Sequence, residues 1–211
     1  MHMFKIGSQL TWKTTTEIPC ADATPQGIRA GIERYANETN SISYMVFDHM
    51  NLTQLHLPDG CNAEGATFRN CNLVGLVAKG CTFDYADLSG ADISGAIVEN
   101  SSFGCAKAAG LLARGLRGKG SFWTGSRIRQ ARFDDADLRL THFSHARAEG
   151  ASFKNAQLLL AHLSTMAADL SALLECCEPA EVIQAALFYG EPPAAILEQH
   201  GLTEAAKEAR A

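Results

Sequence analysis

The chain has 211 residues, 46% of them hydrophobic and 19% charged, with a formal net charge of −5. This balance argues against disorder throughout and nominates no nucleic acid or membrane by charge alone. No apolar run approaches the ~20 residues of a membrane span, and the N-terminus lacks the charged start and apolar centre of a signal peptide. The expected compartment is therefore a bacterial-type cytoplasm, with signal-independent secretion left open, and the seven cysteines are expected to be reduced thiols and not a disulfide framework.

Residues 1–39 hold a polar, β-prone stretch, TWKTTTEI, followed by TPQGIRAGIERYANE. In the second stretch Ile28, Ile32 and Tyr35 share one helical face, behind Thr24 as N-cap and Pro25 in the first turn. The spacing predicts a helix, and the whole segment is expected to close the open end of whatever follows.

From Asn40 to Asp59 the sequence moves in fives, NSISY MVFDH MNLTQ LHLPD, with Ile42, Phe47, Leu52 and Leu57 at every third place. Gly60 is then one residue too many, a bulge or corner between two registers. From Cys61 to Thr165 the period of five continues through 21 units. A period of five fits neither a helix nor a strand, and internal repetition outranks local propensity.

Within those 21 units the first position is small (eleven Ala) or otherwise compact, and the third is apolar everywhere except Gly118. The third position includes Phe68, Phe83, Phe103, Trp123, Phe133, Phe143 and Phe153, the expected structural core. All 21 charged residues of the stretch occupy the other three positions, so two positions in five face a dry interior. Gly fills the fifth position in ten units and Asn in three, the residues that best accept a left-handed backbone. The weakest repeats are AKAAG LLARG LRGKG, where Ala108, Ala113 and Gly118 replace large central residues; either the coil narrows or part of it loops out, and the resumption of register at Ser121 favours a thin coil, the softest part of the array.

The motif [ACST]-[DN]-[LF]-x-G, seen in ADLSG and ADISG, resembles the pentapeptide-repeat family over about half of the chain. The resemblance implies an all-β solenoid: a right-handed, four-sided β-helix with four pentapeptides per coil, small first-position residues at the corners and large third-position residues stacked centrally. The expected organisation is an N-terminal cap over 1–39, the β-helix over 40–165 and a C-terminal segment over 166–211. In the last, PAEVIQAALFYG and PPAAILEQHG are punctuated as helices. Their stripe of Val182, Ile183, Ala186 and Leu187 is expected to cap the last coil or to dimerise the protein.

No catalytic constellation is present in the sequence: no phosphate-binding loop, nucleophile elbow, H-E-x-x-H or C-x-x-C. An enzyme, a cofactor and a metal are therefore not expected. Cys61, Cys71 and Cys81 sit at the inward first position and read as core filler. His142 and His162, 20 residues apart and outward, read as solvated polar residues more readily than as a metal-holding pair.

Outward charge is the informative layer. Glu64, Asp84, Asp87, Asp92 and Glu99 make the early coils acidic, with Asp84, Asp87, Asp92 and Glu99 as the candidate acidic interaction residues. Between Ser101 and Phe133 there are seven cations and no carboxylate, with Lys107, Arg114, Arg127, Arg129 and Arg132 as the basic candidates. With four units per coil, Arg69, Lys107, Arg127, Arg129 and Arg147 share one side, interrupted by Asp87 and Glu149.

The resemblance implies a non-enzymatic scaffold that binds a protein partner through the β-helix surface. The alternative it implies is a DNA-mimicking inhibitor of a DNA-binding complex such as DNA gyrase or a phage-defence complex, which the basic band opposes. Direct nucleic-acid binding is disfavoured because Trp123 and Phe133, the aromatic residues near the basic band, are third-position core residues.

Overall fold

The computed structural model describes residues 2–8, 15–163, 166 and 176. The predicted C-terminal helices, with Val182, Ile183, Ala186 and Leu187, lie outside the described residues.

Parallel bridges join the second position of each unit to the second position of the unit 20 residues later, as in Asn62 to Thr82 and Thr67 to Asp87, continuing to His142 and His162. Twenty residues in units of five make a coil of four sides, a β-helical solenoid. The sides carry the outward series Asn62, Thr82, Ser102, Phe122, His142, His162 on the first, and Thr67, Asp87, Lys107, Arg127, Arg147 on the second. Asn72, Asp92, Leu112, Arg132, Ser152 mark the third, and Val77, Ile97, Arg117, Asp137, Gln157 the fourth. In the first coil the interval is 21, from Ser41 to Asn62 and from His56 to Val77. Gly60, at φ 74°, is the extra residue, as its place between two registers predicts.

Each unit turns at its fifth residue in the left-handed region. Besides the glycines, this includes Tyr85 (φ 59°), Leu140 (φ 60°) and Leu160 (φ 57°), where a β-carbon costs on the order of 1–2 kcal/mol. The coil geometry overrides the local preference of these residues, because a single unit cannot leave the ladder without breaking its bonds to both neighbours.

Inside, the third-position rings form columns. Phe83 stacks on Phe103 at 5.0 Å, Phe103 on Trp123 at 4.1 Å, and Phe133 on Phe153 at 5.4 Å, with edge contacts from Trp123 to Phe133 at 5.4 Å linking the columns. Every aromatic residue expected in the core is buried there. The Trp123 indole N–H donates to the Ser121 hydroxyl at 2.9 Å, so its one polar atom is satisfied.

The expected thin coil is a regular one. Its ladder continues unbroken through Lys107, Leu112 and Arg117, and Ala108, Ala113, Leu111 and Leu116 are fully buried. In two of the three units the volume missing at the third position returns at the first, since Leu111 precedes Ala113 and Leu116 precedes Gly118; in the unit 106–110 both positions are Ala. A β-carbon on Gly118 would lie 3.3 Å from Leu116 Cδ2, Leu138 Cδ2 and Ser121 Oγ, so leucines crowd the space a central side chain would take.

At the N-terminal end, β1 (His2–Ser8) pairs antiparallel with β2 (Thr15–Cys20), and its last residues pair with β3 (Met45–Val46) of the first coil. The sequence signal covered β2 but not β1. The helix α1 (Pro25–Thr39) is capped as predicted, with Thr24 Oγ1 accepting the Gly27 N–H at 3.1 Å. Two of its side chains close the open edge of the first coil: Glu33 accepts the His56 N–H at 2.9 Å and Arg29 donates to the Thr53 carbonyl at 2.7 Å. In later coils these groups bond to the preceding coil, as Val77 N–H does to the Leu55 carbonyl. The helix thus replaces a coil that does not exist.

Two measurements of unfolding in urea test this account. Leu116→Ala, with no large residue at position 118 to fill the space, is expected to lose about 2–4 kcal/mol. Leu140→Asn relieves the left-handed backbone and is expected to gain about 0.5–1 kcal/mol. A loss under 1 kcal/mol for Leu116→Ala would show that the coil is not packed as described.

Candidate interaction surface

The outward second and fourth positions carry nearly all of the charge, and the ladder decides which charges meet. The four acidic candidates fall on four different sides. Asp84 Oδ1 accepts the Gly104 N–H at 2.8 Å and also the Ser102 hydroxyl. Asp87 and Asp92 each accept the N–H two residues on, from Ser89 at 3.1 Å and Ser94 at 2.9 Å. Glu99 faces Lys79 at 3.6 Å and Arg117 at 3.2 Å. These carboxylates therefore serve turns and rungs and do not form one acidic surface.

The basic band is partly neutralised across coils. Arg114 and Arg132 both approach Asp134, at 3.6 Å and 4.0 Å, Arg117 reaches Glu99, and Arg129 binds Glu149 through two hydrogen bonds at 2.9 Å and 3.0 Å. The Arg129 guanidinium holds the Glu149 carboxyl below its usual range. Arg69, the first cation of the second side, is likewise bound to Asp48 by its Nε at 2.7 Å. Carboxylates 18 to 21 residues away, and for Arg132 the Asp134 two residues on, supply this neutralisation, so the run of seven cations without an intervening carboxylate overstates the free charge.

What remains on the second side is Lys107, Arg127 and Arg147, on three consecutive rungs joined by parallel bridges. All three are exposed, and none forms an ion pair within 4.0 Å among the described residues. Asp87 occupies the rung before Lys107, and Glu149, engaged by Arg129, lies near Arg147. The structure thus brings Lys107 and Arg127 together with Arg147, and separates them from Arg114 and Arg132, which lie on the third side.

The first side, around the corner formed by Cys105, Gly125 and His145, holds an aromatic column in which the His142–His162 pair of the sequence is joined by Phe122, a residue the sequence reading did not single out. Phe122 is 43% exposed, stacks on His142 at 4.8 Å, and His142 stacks on His162 at 4.3 Å. The signal was available: Phe122 breaks the rule that large apolar residues occupy the third position, but its neighbour Trp123 satisfies that rule and drew the attention. Burial lowers the pKa of His142 from its usual 6.5, and the adjacent His162 adds to the effect.

The inward thiols of Cys61, Cys71 and Cys81 are core residues. Burial pushes Cys61 and Cys71 up to about 11 and Cys81 to about 12, so they remain protonated core residues. Among the described residues no three His, Cys, Asp or Glu side chains cluster as metal ligands, and no helix is long and apolar enough to cross a membrane.

Residues 60–100 and 120–164 match the family model of pentapeptide repeats, in 8 copies. The unmatched gap is the stretch where volume moves from third to first position, although the coil there is continuous. No curated protein matches the sequence. Solved structures similar to the chain include a pentapeptide repeat protein of the Arabidopsis thaliana thylakoid lumen, 20% identical, covering 56% of this chain and 69% of that one, with a TM-score of 0.39. Another is the pentapeptide repeat protein Rfr23 of the cyanobacterium Cyanothece, 14% identical over 61% of this chain and 99% of that one, TM-score 0.32. A third is a trypsin-treated form of QnrB1, a plasmid-mediated fluoroquinolone resistance protein, 17% identical over 62% of this chain and 83% of that one, TM-score 0.33.

The stack gives a pH test. A His whose folded pKa is depressed binds fewer protons folded than unfolded, so stability is present above the unfolded value near 6.5 and declines as pH falls below it. His142→Thr is expected to flatten the decline below about pH 6.5, read by thermal unfolding; an unchanged slope would show that the stack is not populated in solution.

Proposed function

The chain belongs to the pentapeptide-repeat family through residues 60–100 and 120–164, and on that premise we propose that it is a non-enzymatic protein-interaction scaffold. One observation carries the reading. The second side presents Lys107, Arg127 and Arg147 in register, exposed and without ion pairs, while most neighbouring charges are consumed by the rod itself. Ladder geometry fixes the spacing of these cations before any partner arrives, which lowers the cost of ordering them on binding. The partner this favours is a protein with an acidic surface.

The DNA-mimicking alternative needs carboxylates aligned as phosphates are. Asp84, Asp87, Asp92 and Glu99 instead lie on four sides and bond within the rod. The charge pattern supports the scaffold over the mimic, and over an inhibitor of gyrase or of a phage-defence complex that works by mimicry.

The test is affinity capture from nuclease-treated bacterial lysate by the full-length protein and by Arg127→Glu. The scaffold reading expects a specific protein held by the wild type and reduced at least about tenfold by the charge reversal. Asp84→Lys and Asp92→Lys are expected to leave capture intact. Inhibition of a DNA enzyme that is lost in Asp84→Lys but kept in Arg127→Glu would replace the scaffold with the mimic.

A further inference from the structure

The first and second sides meet at a corner of low relief, Cys105, Gly125 and His145, with the Phe122–His142–His162 column on one flank and the Lys107–Arg127–Arg147 column on the other. From these two columns we propose that the corner docks an amphipathic α-helix of a partner protein, with an acidic stripe on the cations and an apolar stripe on Phe122. This rests on the scaffold reading and names the partner's form.

The backbone of the rod excludes an added strand here. The Arg127 N–H donates to the Ala106 carbonyl at 2.8 Å and its own carbonyl accepts from Ala108 at 2.8 Å. Arg147 is bonded in the same way, to Ser126 at 2.8 Å and from Ile128 at 2.9 Å. An extended peptide laid along the cation rungs finds the main-chain groups of Arg127 and Arg147 already bonded, whereas a helix satisfies its own backbone.

Spacing agrees. Adjacent rungs of a ladder lie ~4.8 Å apart, so three cations span roughly 10 Å. Carboxylates at i, i+3 or i+4, and i+7 on a helix span about 10.5 Å. An apolar stripe roughly 100° around the same helix then reaches across the corner, where the exposed Phe122 ring offers an anchor beside cations that repel a purely apolar partner. A polynucleotide is the other anion to consider. The site is a flat side with a convex corner and not a groove, and Asp87 and Glu149 border it, so an extended run of phosphates meets carboxylates at both ends of the cation column.

The experiment measures fluorescence anisotropy of a labelled synthetic helical peptide of about four turns with Glu at i, i+3 and i+7 and Leu on the adjoining stripe. The full-length protein is titrated at low salt. The comparison ligands are a peptide of identical composition with the glutamates scattered around the helix and a short single-stranded oligonucleotide. The proposal expects the patterned peptide to bind about tenfold more tightly than the scattered one. Arg127→Glu should weaken binding about tenfold, and Phe122→Ala about three- to tenfold. Arg114→Glu, on the third side, should leave it unchanged. Circular dichroism confirms that each variant is folded.

Equal binding of both peptides, no effect of Phe122→Ala, or tighter binding of the oligonucleotide would overturn the inference. If Arg127→Glu abolishes lysate capture while the patterned peptide fails to bind, the scaffold reading stands and the helical partner falls. If neither capture nor peptide binding depends on Arg127, both fall.

Discussion

The parallel ladder with a 20-residue interval is the constraint on which everything else in this protein depends. Each residue at a second position bonds through both main-chain groups to the coil before, as Lys107 does to Ala86 and Leu88, while its neighbours Ala106 and Ala108 bond to the coil after, at Arg127. The interval cannot slip locally without breaking both sets of bonds. This is why Leu140, Leu160 and Tyr85 are held at positive φ against their preference. It is also why a single inserted residue is accepted between the first coil and the second, at Gly60, and nowhere among the later rungs. The ladder also explains the N-terminal helix, since the first coil has no predecessor and Glu33 and Arg29 bond to the groups a predecessor would have met.

The interior also accepts an exchange of volume between the first and third positions of a unit. Large residues usually stand at the third position and small ones at the first, but Leu111 with Ala113 and Leu116 with Gly118 reverse the order and keep the interior filled. The reversal defeats a motif-based reading twice. It made the stretch look like a thin coil in the sequence, and it coincides with the gap between the two matched segments of the family. Packing depends on summed side-chain volume and not on which position supplies it, so the pattern was altered while the coil was not.

The array, its core and the cap helix were legible in the sequence because each rests on a short-range pattern: period five, apolar third positions, and a Thr24–Pro25 start. The interaction surface was legible only in part. Period and side predicted that Lys107, Arg127 and Arg147 would align, and they do. Which cations remain without an ion pair depends on reach, across coils from Arg129 to Glu149 and from Arg114 to Asp134 and along the chain from Arg132 to Asp134, and side-chain reach is not written in the spacing. β1 was missed for a related reason: its strand character comes from pairing with β2 and β3 and not from its own alternation.

A solenoid with a saturated ladder confines recognition to side chains. At the second positions the ladder takes up the main-chain donors and acceptors, so specificity comes from the outward side chains of the second and fourth positions, which are spaced by the rungs. Charges placed there tend to be neutralised by whatever lies one coil away, and a column escapes only if its neighbours on the adjoining rungs are like-charged or already engaged. Lys107, Arg127 and Arg147 meet that condition: the rungs they occupy neighbour one another, Glu149 is held by Arg129, and Asp87, on the rung before Lys107, accepts the Ser89 N–H. Mutual repulsion among three cations at ladder spacing is a standing cost to the free rod, small for exposed side chains in water and reduced further by salt. An acidic partner removes it, which makes this column, and not the more numerous paired arginines, the place where binding gains most.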